Sequence, residues 1–488
     1  MIAFGDFQTP LPLAAEVCAL VERTGWRPAT IVEPTCGTGS FLAAARSRFP
    51  AATHILGLDI NPEHVARARG VLPECGGGMH AEVVVGDFFR TDWHALLAPL
   101  PRPWLVLGNP PWVTNAALGV LGADNLPVKA TFPGLSGLEA RTGKSNFDIS
   151  EWVVVRLLEA LQGNEAVLAM LVKTSVARKT LARAWRDGLA VRRAALYRLD
   201  ARRWFGAAVD ACLLTVATGG GRSARDCTLH AALEPSSVES VFGWRDGALV
   251  ADVTAHARVR ELAGAERTVW RSGVKHDCAR VMELHRAGDR WRNGLGETVC
   301  LEPDRLHPLA KCSDLDRGRP PSRWVVVTQR RTGEDTAKLE HEAPQTWAYL
   351  LRNAARLDGR ASTVYRGRPR FAMFGVGPYA FQPWKVAVSG LHKRLRFRVV
   401  GPVDGQAVLL DDTGYLLACR GRAEAERTAR LLTSELAQDF FRAHVFWDAK
   451  RPITGELLGR LDLGALARAL GAGGPCLSAQ RRGRASPR

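Results

Sequence analysis

Four short apolar runs in the first quarter of the chain each end in a polar residue, and helix-like segments separate them. The four polar residues are Glu33, Asp59, Asp87 and Asn109. Short apolar runs that alternate with helical patterns predict a parallel sheet, in which the carboxyl ends of the strands meet at one edge. Open α/β sheets bind ligands at that edge. We therefore expect these four residues to build one site.

The segment after the first run, Pro34–Gly39, contains two glycines. A strand, a glycine turn and a helix start form a cradle for a nucleotide-type ligand, because glycine lets the backbone approach it closely. The GxGxxG pattern is absent, which disfavours a pyrophosphate. Glu33 would repel phosphate and suits an ammonium group. Asp59, about twenty residues further on, suits ribose hydroxyls; its alternative role is to cap the next helix.

The fourth run leads into Asn109-Pro110-Pro111-Trp112. Each proline fixes φ near −65° and has no N–H group, so this segment is stiff and rich in hydrogen-bond acceptors. The side-chain oxygen of Asn109 and a carbonyl of the proline segment suit the two hydrogens of an exocyclic amino group, with Trp112 stacked on its ring. The alternative is an ordinary exit from a strand into a loop.

Composition limits the partners of the chain. Its 488 residues include 66 Lys and Arg against 49 Asp and Glu, a net charge of +17, which indicates nucleic acid before membrane. No apolar stretch approaches the ~18 residues of a membrane span, and we find no signal peptide. The ten cysteines form no CxxC pair, so we expect reduced thiols in a cytoplasmic protein. The spacing of His and Cys between residues 276 and 312 fits no zinc finger, and we expect no metal.

The motifs EPTCGTGSF, GLDIN, GDFF and NPPW occur in this order after FGDFQTP. Together they resemble the gamma class of S-adenosylmethionine-dependent DNA adenine-N(6) methyltransferases, the modification enzymes of Type II restriction systems and their fused endonuclease relatives. The resemblance is specific through residue 217 and looser beyond it. It implies an α/β fold: a Rossmann-like class I methyltransferase domain with a C-terminal α+β target-recognition domain. The residues that it implies for the S-adenosylmethionine pocket are Thr9, Glu33, Cys36, Gly37, Gly39, Asp59, Asp87 and Phe88.

The same resemblance implies how the target base is held. Because a base inside a duplex cannot reach the methyl donor, we expect a flipped-out adenine. Asn109, Pro110, Pro111 and Trp112 would hold it, with Phe205 as a second aromatic face. The usual tetrapeptide has Tyr in the fourth place; Trp keeps the stacking face and loses the hydroxyl group. The alternative for Phe205 is a core residue that precedes a strand.

The second half of the chain contains a basic and aromatic window. Between Asp358 and Asp404 there is no acidic residue, but there are nine Lys or Arg residues and seven aromatic ones. Such a mixture suits a DNA-reading surface; the alternative is an ordinary solvated surface. With the Gly- and Pro-rich loop 116–145 and the family-like block 271–277, it gives our predicted DNA contacts. These are Lys129, Lys144, Arg271, Lys275, Arg366, Arg368, Arg370, Lys385 and Lys393.

We expect a methyltransferase catalytic domain over 1–235, a target-recognition domain over 236–470 and a disordered tail over 471–488. Double-stranded DNA is the expected partner of a monomer, and a separately encoded restriction endonuclease is a candidate second partner. A fused nuclease would need a further domain, so we expect no nuclease activity. Two alternatives remain open: a protein-glutamine or RNA methyltransferase that uses the NPPW site, and a catalytically silent DNA-binding specificity protein.

Overall fold

The computed structural model describes residues 8–72, 79–113, 148–264 and 268–472. The chain divides into two compact units, residues 1–253 and 254–488. The predicted DNA contacts Lys129 and Lys144 and most of the predicted tail lie outside the described ranges. No helix within those ranges is long and apolar enough to cross a membrane.

Within the described part of the first unit, ten strands form one sheet in the order β10-β9-β8-β6-β7-β5-β4-β1-β2-β3. Strands β1 to β5 pair in parallel, and β7 lies antiparallel between β5 and β6. The order reverses between β1 and β4, which is where open α/β sheets form a ligand crevice. This topology confirms the predicted Rossmann-like domain. The strands are β1 Thr30–Glu33, β2 His54–Asp59, β3 His80–Val85, β4 Trp104–Gly108, β5 Ala166–Lys173, β6 Arg193–Asp200, β7 Asp210–Ala217, β8 Asp226–His230, β9 Val238–Arg245 and β10 Ala248–Val250.

The boundary between the units lies later than the predicted one at 235/236. Strand β8 pairs in parallel with β6, and β9 and β10 follow it as antiparallel neighbours, so the sheet continues to Val250. The glycine-rich segment 219–221 is therefore a connection inside the first unit and not a linker between units.

Helices connect the parallel strands, and local sequence signals fix where they begin. Asn61 accepts a hydrogen bond from the Glu63 amide ahead of Pro62, and Asp148 accepts one from the Ser150 amide; both are N-caps that satisfy exposed helical N–H groups. The helices are α1 Leu11–Arg23, α2 Ser40–Arg48, α3 Pro62–Gly70, α4 Trp93–Leu97, α5 Ile149–Ala160, α6 Thr174–Arg186, α7 Ala201–Phe205 and, at the boundary, α8 Val253–Val259.

The second unit combines two further sheets with helices, as expected for an α+β domain. In its described residues the sheets have the orders β11-β20-β17-β18 and β14-β13-β12-β16-β15-β19. The strands are β11 Arg271–Ser272, β12 Glu283–Ala287, β13 Arg290–Asn293, β14 Thr298–Val299, β15 Leu306–Ala310, β16 Arg323–Val326, β17 Trp384–Ser389, β18 Arg398–Val400, β19 Leu409–Leu410 and β20 Gly414–Cys419. The helices are α9 Ala279–Met282, α10 Cys312–Arg317, α11 Leu339–Glu342, α12 Pro344–Arg352, α13 Ala354–Asp358, α14 Arg422–Thr433, α15 Glu435–His444, α16 Gly455–Leu458 and α17 Leu463–Ala469.

A buried carboxylate connects several elements of this second unit. Glu283, at the start of β12, is 3% exposed and accepts hydrogen bonds from Lys311 at 2.5 Å and Arg323 at 2.9 Å, with His276 at 3.3 Å. Burial alone would raise the pKa of Glu283, but the bonds from His276, Lys311 and Arg323 outweigh it and hold the pKa at about 2. Two of these three groups carry a permanent charge, so Glu283 is buried as a paired anion.

We expect Glu283→Gln to destabilise the second unit by about 1–3 kcal/mol at pH 7, because the partly enclosed Lys311 and the more exposed Arg323 lose their charged hydrogen-bond acceptor. Since the pKa of Glu283 is depressed in the folded state, its contribution is present above pH 4.5 and is lost as the pH falls towards about 2. Urea unfolding at several pH values should therefore show the difference from wild type shrinking in acid. Glu426→Gln, which removes an exposed partner of Arg422, is the control and should cost less than about 1 kcal/mol. Equal stabilities of Glu283→Gln and wild type at pH 7 would contradict this account.

Candidate active site

A cleft lies at the carboxyl ends of β1, β2 and β4, where the strand order reverses. It is open to solvent. Three of the four polar strand-end residues, Glu33, Asp59 and Asn109, share its wall, as the alternation of strands predicted. The residues that line the cleft are Gln8, Thr9, Glu33, Thr35, Cys36, Gly37, Ser40, Asp59, Asn109 and Pro111.

Asp59 forms a hydrogen bond with the glycine turn that lines this cleft. One carboxylate oxygen accepts a hydrogen bond from the Gly37 amide at 2.8 Å, and the other accepts one from the Asn61 amide at 2.9 Å. The cap of α3 is Asn61, so the alternative that Asp59 caps this helix is wrong. One side chain thus connects the turn after β1 to the end of β2.

The turn itself requires glycine at Gly37. Its φ is +50°, and a Cβ atom there would lie 2.5 Å from the side-chain oxygen of Gln8. That Gln8 oxygen accepts hydrogen bonds from the amide and the hydroxyl of Thr38, each at 3.1 Å. Sequence reasoning missed Gln8, although it directly precedes Thr9 in the FGDFQTP motif. Its role depends on a contact across 30 positions of the chain, which no local pattern reports.

Glu33 occupies an unusual environment for a carboxylate. Its side chain is 3% exposed, and its Oε2 atom has no hydrogen-bond partner among the described residues. Burial raises the pKa of Glu33 well above its usual range; a backbone hydrogen bond at Leu42 opposes this, and the nearby charge of Asp59 adds to it. A buried acceptor with no partner costs free energy unless a ligand satisfies it. Glu33 is therefore suited to a cationic or hydrogen-bond-donating group in the cleft.

Three residues predicted for the donor pocket do not line this cleft. Gly39 has a φ of +87°, and a Cβ there would lie 3.0 Å from the Cα atom of Ala68, so it permits α2 to pack against α3. Asp87 accepts a hydrogen bond from the Phe89 amide at 2.9 Å. Phe88 is buried, with its ring 5.0 Å from that of Trp93. Thr35 and Ser40 line the cleft and were missed.

The four residues of the NPPW segment divide into two groups. Asn109 and Pro111 face the cleft, whereas Pro110 and Trp112 are buried. The indole N–H of Trp112 donates to the Leu171 carbonyl at 3.1 Å, which anchors the ring on β5. The half-buried Phe205, at the end of α7, lies edge-on to Trp112 with 5.2 Å between ring centres. The two predicted aromatic residues are thus neighbours, although they are 93 positions apart in sequence.

The predicted DNA contacts of the second unit differ in accessibility. Arg366, Arg368 and Lys393 are exposed. Arg370 is exposed as well but already binds Asp358 through two nitrogens, at 2.7 and 3.2 Å. The predicted DNA contact of Lys385 is wrong. Its side chain is fully buried in β17 and donates to the Gln382 carbonyl, and burial lowers the pKa of Lys385 to about 8. An ammonium group enclosed in this way cannot reach a phosphate.

The remaining two predicted contacts lie in the block 271–277. Arg271 lies over the ring of Tyr379 at 5.2 Å, and Lys275 pairs with Asp277 at 2.8 Å. The backbone of Lys275 exchanges two hydrogen bonds with Phe374, at 2.9 and 3.0 Å. The block 271–277 and the basic window, which are distant in sequence, therefore meet in the second unit.

The order of strands, the reversed β7 and the cleft at the switch point together define a class I methyltransferase fold. A Type II methyltransferase, M.NspV of Nostoc sp. (strain ATCC 29411 / PCC 7524), is 41% identical over 472 residues, which cover 96% of this chain and 98% of that protein. The chain therefore belongs to the Type II methyltransferase family, the DNA methyltransferases of restriction-modification systems.

Two more distant similarities were found. M.CvrRI of Paramecium bursaria Chlorella virus XZ-6E is 33% identical over 111 residues, 23% of this chain and 25% of that protein. The Type IIL restriction-modification enzyme MmeI, solved in complex with DNA, aligns at a TM-score of 0.49 and 12% identity, covering 95% of this chain and 72% of that one. No family model matches the chain.

The environment of Glu33 gives a prediction for the free protein. Because its pKa is raised in the folded state, stability is lost as the pH rises above the usual value of 4.5 and the unfolded chain ionises. We expect Glu33→Gln to raise the melting temperature at neutral pH and to match wild type at or below pH 4.5. Glu16→Gln, on the exposed face of α1, is the control for the chemical change. A lower melting temperature for Glu33→Gln at neutral pH would show that the ionised form is well accommodated.

Proposed function

We propose that this chain is an adenine-N(6) DNA methyltransferase of the gamma class, which uses S-adenosylmethionine and acts on an adenine flipped out of duplex DNA. The observation that carries the proposal is the convergence of Glu33, Asp59 and Asn109 on one cleft at the switch point of the sheet. The acceptors of the Asn109-Pro110 pair serve an amino group. The carboxyl groups of Glu33 and Asp59 would bind a methyl donor that carries a cationic ammonium group and ribose hydroxyls.

The residues of the cleft fit S-adenosylmethionine. The buried Oε2 of Glu33 and the buried hydroxyl of Thr35 have no hydrogen-bond partner among the described residues, so both can accept or donate towards a ligand. We assign Glu33 to the ammonium group of the donor and Asp59 to its ribose. When bound, the donor supplies an electrophilic methyl group on a positively charged sulfur.

Residues of the chain would activate the adenine amino nitrogen, which receives the methyl group. The lone pair of an adenine amino group is delocalised into the ring, which makes the nitrogen a poor nucleophile. The Asn109 side chain and the Pro110 carbonyl, as acceptors for its two hydrogens, would favour tetrahedral geometry and stabilise the positive charge that develops there. No covalent enzyme intermediate is required. Phe205, half-buried beside Trp112, would cover one face of the base.

Two features separate this proposal from its rivals. A methyltransferase acting on the cytosine amino group would more typically carry Ser at the position of Asn109. A protein-glutamine methyltransferase has a compact substrate, whereas this chain has a second unit, residues 254–488, that carries exposed basic residues such as Arg366, Arg368 and Lys393. Duplex DNA is therefore our proposed substrate, and the second unit is our proposed target-recognition domain.

The test of the reaction is nucleoside mass spectrometry of duplex DNA treated with the purified protein and the donor. We expect N6-methyladenine, and Asn109→Ala should lower the rate at least about 10²–10³-fold, because the missing acceptor matters most as the amino group changes geometry. Donor affinity by calorimetry and duplex affinity should stay close to wild type. N4-methylcytosine as the product would overturn the adenine assignment. A variant that lost DNA binding but kept its rate on bound DNA would overturn the role of Asn109.

The DNA-binding role of the basic window has its own test. If Arg366 and Arg368 contact phosphates, the double variant Arg366→Ala/Arg368→Ala should weaken binding to every duplex alike. It should also reduce the slope of log affinity against log salt by about 0.9 for each phosphate that is no longer neutralised. The control is Arg422→Ala/Arg442→Ala, which removes two arginines that are paired with acids on their own helices. Weaker discrimination between cognate and altered sites would instead indicate base contacts. No change in any of these quantities would remove both arginines from the interface.

A further inference from the structure

The last residue of β5 makes two polar contacts next to the NPPW segment. The Lys173 ammonium group donates to the backbone carbonyl of Trp112 at 2.9 Å and to the Asp148 carboxylate at 2.5 Å. Both side chains are largely enclosed, with 23% of Lys173 and 9% of Asp148 exposed. This ion pair therefore joins three places: the end of β5, the NPPW segment and the start of α5.

The backbone around this pair is held by two further hydrogen bonds. The indole N–H of Trp112 donates to the Leu171 carbonyl at 3.1 Å, two residues before Lys173 on the same strand. The Ile149 amide, at the start of α5, donates to the Val113 carbonyl at 2.9 Å. Strand β5 therefore holds Trp112 through both its indole ring and its backbone carbonyl. Since prolines restrict the backbone before it, fixing Trp112 also fixes the direction of the Asn109-Pro110 acceptors.

Stability alone does not explain the charge on Asp148. Its Oδ1 atom already accepts from the amide and hydroxyl of Ser150, at 3.2 and 2.5 Å, which satisfies the N-terminus of α5. Asn or Ser would cap a helix about equally well without a buried charge. A buried ion pair carries a desolvation cost, so it contributes little net stability and is better explained by the geometry that it specifies. Here that geometry is the position of the Trp112 carbonyl.

We propose that Lys173 and Asp148 are positioning residues for methyl transfer. Together they hold the Trp112 carbonyl, and through it they orient Asn109 and Pro110 towards the amino group of the substrate base. This inference rests on the function proposed above. Neither side chain contacts the substrate in this assignment; both act through the backbone of the NPPW segment.

The inference predicts how variants of the pair behave. Lys173→Met keeps most of the side-chain volume and removes the donor, and Asp148→Asn keeps the capping oxygen and removes the charge. Because a displacement of about 1 Å costs up to about 10²-fold in rate, we expect each to lower the single-turnover rate by between about 10-fold and 100-fold. The KM for the donor should not change. Since the two residues act as a unit, the double variant should be no slower than the slower single variant. Lys173→Arg should recover part of the rate.

A spectroscopic signal separates positioning from simple unfolding. With 2-aminopurine in place of the target adenine, the fluorescence of the flipped base should change in Lys173→Met and Asp148→Asn at a temperature where both variants remain folded. Their melting temperatures should fall, because each change leaves one partner of an enclosed ion pair without the other, but their duplex affinity should stay near wild type. The matched control is Lys179→Met on α6, which removes a 63% exposed ammonium group 3.7 Å from Glu151. It should retain the wild-type rate and fluorescence.

The outcomes distinguish this inference from the proposed function. If the wild-type protein methylates no adenine, the proposed function fails, whatever the variants do. If wild type methylates adenine and Asp148→Asn keeps the full single-turnover rate, the inference is overturned. It is also overturned if the decrease in rate of Lys173→Met matches its decrease in folded protein while Asp148→Asn behaves as wild type.

Discussion

The cleft depends on a single carboxylate that binds two stretches of backbone. Asp59, at the end of β2, receives the amide of Gly37 on one oxygen and the amide of Asn61 on the other. These bonds couple the glycine turn after β1 to the start of α3. Hydrogen bonds to an ionised acceptor are among the stronger ones in proteins, so the turn is held in one conformation. The positions of Cys36 and Gly37 on the cleft wall follow from that conformation, and those of Glu33 and Asp59 follow from the register of β1 and β2.

Much of the first unit could be predicted from local sequence. The bounds of β1, β2 and β4 are those that the apolar runs indicate, because central parallel strands are buried on both faces and read as continuous apolar segments. The meeting of Glu33, Asp59 and Asn109 followed from the rule that such strands end at one edge. Strands β8 to β10 were not predicted. Strand β8 pairs with the distant β6, and β9 carries mixed residues on a partly exposed surface. Strands β9 and β10 form a hairpin at Asp246-Gly247, a local turn signal that the sequence analysis did not use.

The errors in the side-chain predictions share one physical origin. The sequence shows which residues are charged, but not whether their side chains are paired or exposed to solvent. Lys385 is flanked by Trp384 and Val386 in β17 and is enclosed, and the exposed Arg370 is already paired with Asp358, just before the acid-free window. Similarly, Gln8 and the Lys173–Asp148 pair act through contacts between segments that are 30 and 25 positions apart. Composition and motif spacing contain no information about such pairs.

The buried carboxyl group of Glu33 has a consequence for how ligands and protons share the cleft. In the free protein its raised pKa favours the neutral form, whereas a bound cation would favour the anion. With Glu33 assigned to a cationic group of the ligand, as proposed above, a proton and that ligand would compete for the same oxygen atoms. Binding would then release protons at any pH where the free carboxyl group is protonated, and occupancy of the cleft would fall as acidity rises. The strand that builds the proposed site would thus also couple its occupancy to the proton concentration of its surroundings.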